Sequence, residues 1–119
     1  MAKTYENLEI WKKGISLATE VYKITNEFPK EEIYGLTSQL RRAVVSISTN
    51  IAEGSGRGSA KDFTRFVNFS IGSLNEVESL LFISKDLSFI SEGDFLKLEG
   101  SIKELGNLLG GFKKFLSKK

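Results

Sequence analysis

Between Gln39 and Glu78 the ionisable side chains are Arg41, Arg42, Glu53, Arg57, Lys61, Asp62, Arg65, Glu76 and Glu78. Carboxylates and cations at such spacings offer metal ligation, acid–base catalysis or phosphate recognition. A carboxylate-bridged metal centre in a helical protein draws on several glutamates together with histidine, and the sequence has no histidine and no cysteine. Glu53, Glu76 and Glu78, interleaved with arginine, make no metal site by themselves. The same two absences remove zinc, haem, thiol and serine-hydrolase arrangements. Paired carboxylates for glycoside hydrolysis need a cleft across a sugar, and short loops offer none. The sequence therefore leads us to expect no catalytic residue, no cofactor, no metal and no small-molecule substrate. Phosphate recognition survives: Arg41, Arg42, Arg57, Lys61 and Arg65 gather around or along one helical hairpin, where they are candidate contacts to RNA or DNA.

The elements that must position these groups centre on the stretch Ile33 to Arg57. Leu36, Leu40, Val44, Ile47 and Ile51 recur at spacings of four and three, with Ala43 beside them, and mark one stripe of an α-helix. Gln39, Arg42, Ser46, Asn50 and Glu53 form a second, polar stripe on the same cylinder. With the next helix antiparallel, Arg42 comes to face Glu76, and Glu53 comes to face Arg65 or Arg57. Gln39, Arg42, Ser46, Asn50, Glu53 and Glu76 are thus expected to form a structural polar network, within the chain or between copies. Arg57 keeps phosphate contact as its alternative use.

The flanking helices follow from the same periodicity. The first is expected over about 8–26, opened by Leu8 or Ile10, with Trp11, Ile15, Ala18, Tyr22 and Thr25 as its leading stripe, Leu17, Val21 and Ile24 broadening that face, and residues 1 to 7 as a lead-in. Phe28-Pro29 ends it, since proline excludes the preceding residue from the helical region; Phe28 is expected to plug the end of the bundle. Lys30-Glu31-Glu32 suit the first turn of helix two, where acids complement the helix dipole. That helix spans about 33–53 and stops at the glycine-rich Glu53-Gly54-Ser55-Gly56-Arg57-Gly58-Ser59. No nucleotide loop is implied there, because a helix precedes the glycines and the lysine and hydroxyl of a P-loop are missing. Ser59 with Asp62, and Ser91 with Asp94, have the spacing of helix starts. They open helices over about 60–88 and 92–116. Gly72-Ser73, in the middle of helix three, is expected to mark a close helix contact.

Four helices with short connections predict an all-α, antiparallel up-down-up-down four-helix bundle, a single domain over 1–119. Leu17, Ile24, Val45, Ile71, Leu80 and Phe82 look hard to bury in one small bundle, which favours self-association. The net charge of +2 neither requires nor forbids a polyanionic partner. Lys113, Lys114, Lys118 and Lys119 read first as complements to the C-terminal dipole of helix four followed by a frayed, solubilising end, with a phosphate-contacting tail as the alternative. No apolar run is long enough to span a membrane, and the first residues lack the apolar core of a secretory signal, so the cytoplasm is the expected compartment.

Three runs carry a resemblance to a known family. They are Phe28 to Ala43 (FPKEEIYGLTSQLRRA), Ser46 to Arg57 (SISTNIAEGSGR) and Gly72 to Glu76 (GSLNE). The chain resembles the bacterial 23S ribosomal RNA intervening-sequence proteins, also labelled S23 ribosomal protein, over almost its whole length. That resemblance implies an antiparallel four-helix bundle, assembly as a ring-like homopentamer, and no catalytic assignment. The family pattern falls here on Gln39, Arg41, Arg42, Ser46, Asn50, Glu53, Gly54, Arg57, Gly72, Ser73 and Glu76. The family is in turn similar to the accessory variability protein of diversity-generating retroelements, a basic pentameric bundle associated with nucleic acid.

Overall fold

The apolar periodicities become four α-helices: α1 (Glu9–Thr25), α2 (Leu36–Ser55), α3 (Ala60–Asp86) and α4 (Glu92–Ser117). The structure, a computed structural model, describes residues 4–119. The first three residues of the expected lead-in lie outside the described residues, and Thr4–Asn7 form a short 3-10 turn whose Tyr5 ring meets Trp11 edge-on at 5.4 Å. The helices run up, down, up and down, and no strand occurs among the described residues. The body measures 45 × 23 × 20 Å.

Helix α2 is the hub, packing most extensively on α3 and then on α1, while α4 closes the bundle against α3 and α1. Leu40, Val44, Ile47 and Ile51 of its apolar stripe are completely buried. Its ends differ from the expected 33–53. Lys30–Glu32 turn separately as a 3-10 segment, and Gly35 has a non-helical backbone (φ −113°, ψ −116°), so α2 begins at Leu36. Glu32 still serves the helix start: its Oε1 accepts the Leu36 N–H at 3.0 Å, satisfying one of the donors a helix N-terminus leaves free. At the other end α2 continues through Gly54 to Ser55. Gly54 is there for packing, because a Cβ at this position would lie 2.7 Å from Phe66 Cβ and 2.8 Å from Phe63 Cδ1. The reversal itself uses Gly58, whose φ of +86° suits a residue without a side chain.

The stripe expected to lead on α1 is corrected. Ile15 and Tyr22 are exposed, whereas Ile10, Gly14, Leu17, Val21 and Thr25 face the core. The chain turns this way because Gly14 lets α2 approach closely: a Cβ on it would sit 3.2 Å from Ser48 Cβ. Leu17 and Leu80, expected to be hard to bury, are buried; Ile24 and Ile71 are partly covered, and Val45 and Phe82 remain exposed. Phe82 meets Phe95 edge-on at 5.0 Å, which covers one side of its ring.

The expected helix starts are present. Ser59 accepts the Asp62 N–H and Ser91 accepts the Asp94 N–H, each at 3.1 Å. Phe28 is buried against Phe89 at the end of the bundle, with ring centroids 5.8 Å apart. The close contact expected at Gly72-Ser73 is made by Ser73, whose Oγ lies 2.7 Å from Ser46 Oγ of α2, while Gly72 faces outward and a Cβ there would meet nothing within 4 Å.

Candidate nucleic-acid interface

Adjacent residues on a helix point about 100° apart, so Arg41 and Arg42 leave α2 in different directions. Arg41 turns toward the C-terminal end of α1. Its Nε donates to Thr25 Oγ1 at 2.9 Å, and its terminal nitrogen donates to Asn26 Oδ1 at 3.0 Å and to the Tyr22 carbonyl at 3.3 Å. Its guanidinium also lies 4.6 Å from the centroid of the Tyr22 ring. Arg41 is therefore a clasp between α1 and α2, with its Nε and one terminal nitrogen engaged. Arg42 is exposed on the α3 side of α2 and forms no ion pair with Glu76 among the described residues.

Three of the other candidate cations meet at the corner where α2 turns into α3. Phe66, buried by Gly54 on one side, offers its ring to two guanidinium groups: Arg57 at 4.7 Å and Arg65 at 5.3 Å from the centroid. The exposed Phe69 ring stands at 87° to Phe66 and lies 5.9 Å from the same Arg65 group. Such cation–π contacts, worth about 0.5–1 kcal/mol at exposed sites, hold a guanidinium in place while leaving its N–H edges free to donate. Arg57 also pairs with Glu53 Oε2 at 2.9 Å, the partner expected for Glu53 in place of Arg65. Lys61 is exposed one turn before Arg65 and, like Arg65, has no ion-pair partner among the described residues.

The polar stripe divides into an inner and an outer part. Ser46 and Asn50 are half-buried: Ser46 Oγ shares a 2.7 Å bond with Ser73 Oγ across the helix pair, and Asn50 Nδ2 donates to the Ser46 carbonyl at 2.7 Å. Gln39, Arg42, Glu53 and Glu76 are exposed on either side of them. A further interhelical bond escaped the sequence reading, from Ser70 Oγ to the Ile47 carbonyl at 2.8 Å, fully buried. Its only sequence signal is a serine on the apolar face of α3. Among the described residues no three acidic side chains gather as a metal site would require.

On the opposite seam, between α3 and α4, Glu99 faces Glu78. Burial pushes the Glu99 carboxyl above its ordinary range, and the neighbouring Glu78 carboxylate raises it further, against a smaller pull from Lys103. The Glu99 Oε1 atom is buried without a partner.

With this geometry in place, the family model described as 23S rRNA-intervening sequence protein matches residues 6–111. Among solved structures, one from Bacteroides thetaiotaomicron is similar over 88% of this chain and 98% of its own, with a TM-score of 0.79 and 22% identity; it is described as a protein with unknown function from the S23 ribosomal protein family. At that identity the likeness concerns the fold. Neither match involves the accessory variability protein. No curated protein matches the sequence.

Proposed function

The chain belongs to the 23S rRNA-intervening sequence protein family, and from that premise we propose that it works in the cytoplasm as a homo-oligomer, a ring of five copies, that contacts RNA or DNA through the α2–α3 corner. It is a non-catalytic, all-helical protein. The observation that supports the nucleic-acid reading is the pair of guanidinium groups stacked on Phe66 beside the unpaired Lys61. Held by a ring, Arg57 and Arg65 lose little further freedom on meeting phosphate, and arginine's fork matches phosphate geometry. Arg42 lies farther along the same outer face, whereas Arg41 has no part in the contact.

A second reading is favoured by a different observation. Phe69, 48% exposed, stands one turn before Ser73 beside the half-buried Ser46–Asn50–Ser73 network, and Val45, 39% exposed, lies one turn after Arg41 on the outside of α2. Exposed apolar side chains around a part-covered polar seam suit a subunit contact, with Gln39, Arg42, Glu53 and Glu76 finding partners in a neighbouring copy. In that reading the protein is an assembly module with no nucleic-acid role.

Light scattering and a salt-titrated binding assay on the same variants separate the two. Arg57→Glu with Arg65→Glu is expected to weaken RNA and DNA binding while leaving the mass at that of the assembly; Phe69→Asp is expected to lower the mass. No retention of RNA or DNA by the wild-type protein at low ionic strength would leave only the assembly reading.

A further inference from the structure

The bundle's two ends differ in charge. At the end where α2 turns into α3, the C-terminus of α4 arrives alongside: Phe63 and Phe112 meet edge-on at 5.2 Å, and Leu116 and Lys119 join Gly54, Gly58 and Ser59 around an open hollow of about 320 Å³. This brings Lys113, Lys114, Lys118 and Lys119, all exposed, to the end that already holds Arg57, Lys61 and Arg65. The acids there are Glu6, Glu9, Glu53 and Asp62, of which Glu53 is taken by Arg57. At the far end Glu27, Glu31, Glu32, Asp86, Glu92 and Asp94 stand against Lys23, Lys30, Lys85 and the Arg41 clasp, which leaves a small acidic excess.

Complementing the α4 dipole does not account for all four lysines. That effect falls off within the last helical turn, where Lys114 already stands, and Lys118 and Lys119 lie beyond the helix. None of the four forms an ion pair among the described residues. With no acidic partner among the described residues, these like charges repel one another unless a polyanion spreads over them.

Resting on the nucleic-acid reading above, we infer that the four C-terminal lysines and the α2–α3 corner form one continuous surface for the phosphodiester backbone. The corner supplies cations fixed by stacking, and the tail supplies mobile point charges across the hollow. The end of the bundle is 23 × 20 Å, wide enough for several phosphates of a duplex, each strand of which carries one per roughly 3.4 Å of helix axis. Contacts of this kind read the backbone and carry no base specificity.

The test measures the dependence of binding on salt for the full chain with a 20-nucleotide single-stranded RNA, the DNA of the same sequence, and the duplex of each. Each phosphate contact contributes about 0.7 to the slope of log K against log salt for a single strand and about 0.9 for a duplex. Lys118→Ala with Lys119→Ala, and separately Lys113→Ala with Lys114→Ala, are expected to lower the slope by about that amount per lysine, with unchanged far-ultraviolet circular dichroism. Lys30→Ala at the acidic end is expected to leave it unchanged. Comparing the RNA and DNA arms identifies which backbone is preferred. Binding that persists with an unaltered slope in both lysine variants, yet fails in Arg57→Glu/Arg65→Glu, overturns this inference and leaves the corner as the site. Absence of binding by the wild-type protein at low salt overturns both.

Discussion

The Ser70 hydroxyl donates to the Ile47 carbonyl at 2.8 Å across the α2–α3 seam, with both residues completely buried. The carbonyl also belongs to the α2 ladder, so removing the hydroxyl takes away one bond without orphaning a buried donor. Ser70→Ala is expected to lower stability by about 1 kcal/mol. The readout is a lower urea midpoint at unchanged m-value; an unmoved midpoint would show the bond to be dispensable.

Glycines on the two faces of the helices should respond in opposite directions. Gly54→Ala places a methyl group 2.7 Å from Phe66 Cβ, an overlap that neither packed helix can relieve cheaply, and is expected to destabilise by about 1–3 kcal/mol. Gly100→Ala on α4 meets nothing within 4 Å and is expected to stabilise by up to about 1 kcal/mol through helix propensity. Thermal melts of the two variants check the sign of each.

Arg41→Lys keeps the charge but not the fork that reaches Thr25, Asn26 and the Tyr22 carbonyl together. Stability is expected to fall by about 1 kcal/mol, while the salt dependence of nucleic-acid binding stays that of the wild type. An altered salt slope would place Arg41 in the interface after all.

Acidification should firm the α3–α4 seam. The folded Glu99 carboxyl titrates above its ordinary value of 4.5, so between the two values the folded state holds more protons than the unfolded one. Its contribution is fully present below 4.5 and lost as pH rises through the raised value. Relative to wild type, Glu99→Gln is therefore expected to gain stability at neutral pH and to gain less at acid pH. Urea titrations at several pH values test this, and parallel curves for the two proteins would contradict it.

The helices, their order and two of their starts were legible in the sequence because their signals are local. Ser59-x-x-Asp62 and Ser91-x-x-Asp94 need only four residues to be recognised, and both caps are present. The inward face of α1 was only partly legible: Ile10, Leu17, Val21 and Thr25 lie on the expected face, but Gly14 occupies a core position without any apolar signal while Ile15 and Tyr22, which carry one, face outward. The candidate interface was half legible. Arg57, Lys61 and Arg65 are close in sequence and meet in space, but adjacency misled for Arg41 and Arg42, which the helical rotation separates. The Phe66 ring between two arginines was invisible, since it depends on how closely Gly54 lets α2 and α3 approach.

A 45 Å body that is positive at one end and negative at the other is an electric dipole. In the field of a polyanion it rotates before contact and arrives lysine-first, which speeds encounter at low salt far more than it slows departure. The dipole also distinguishes modes of assembly. Copies joined side by side with antiparallel axes cancel one another's fields, whereas copies with parallel axes add them and place every basic end on the same rim. An assembly of the second kind binds a long polyanion through many weak contacts at once, so its affinity rises with the length of the nucleic acid rather than with its sequence.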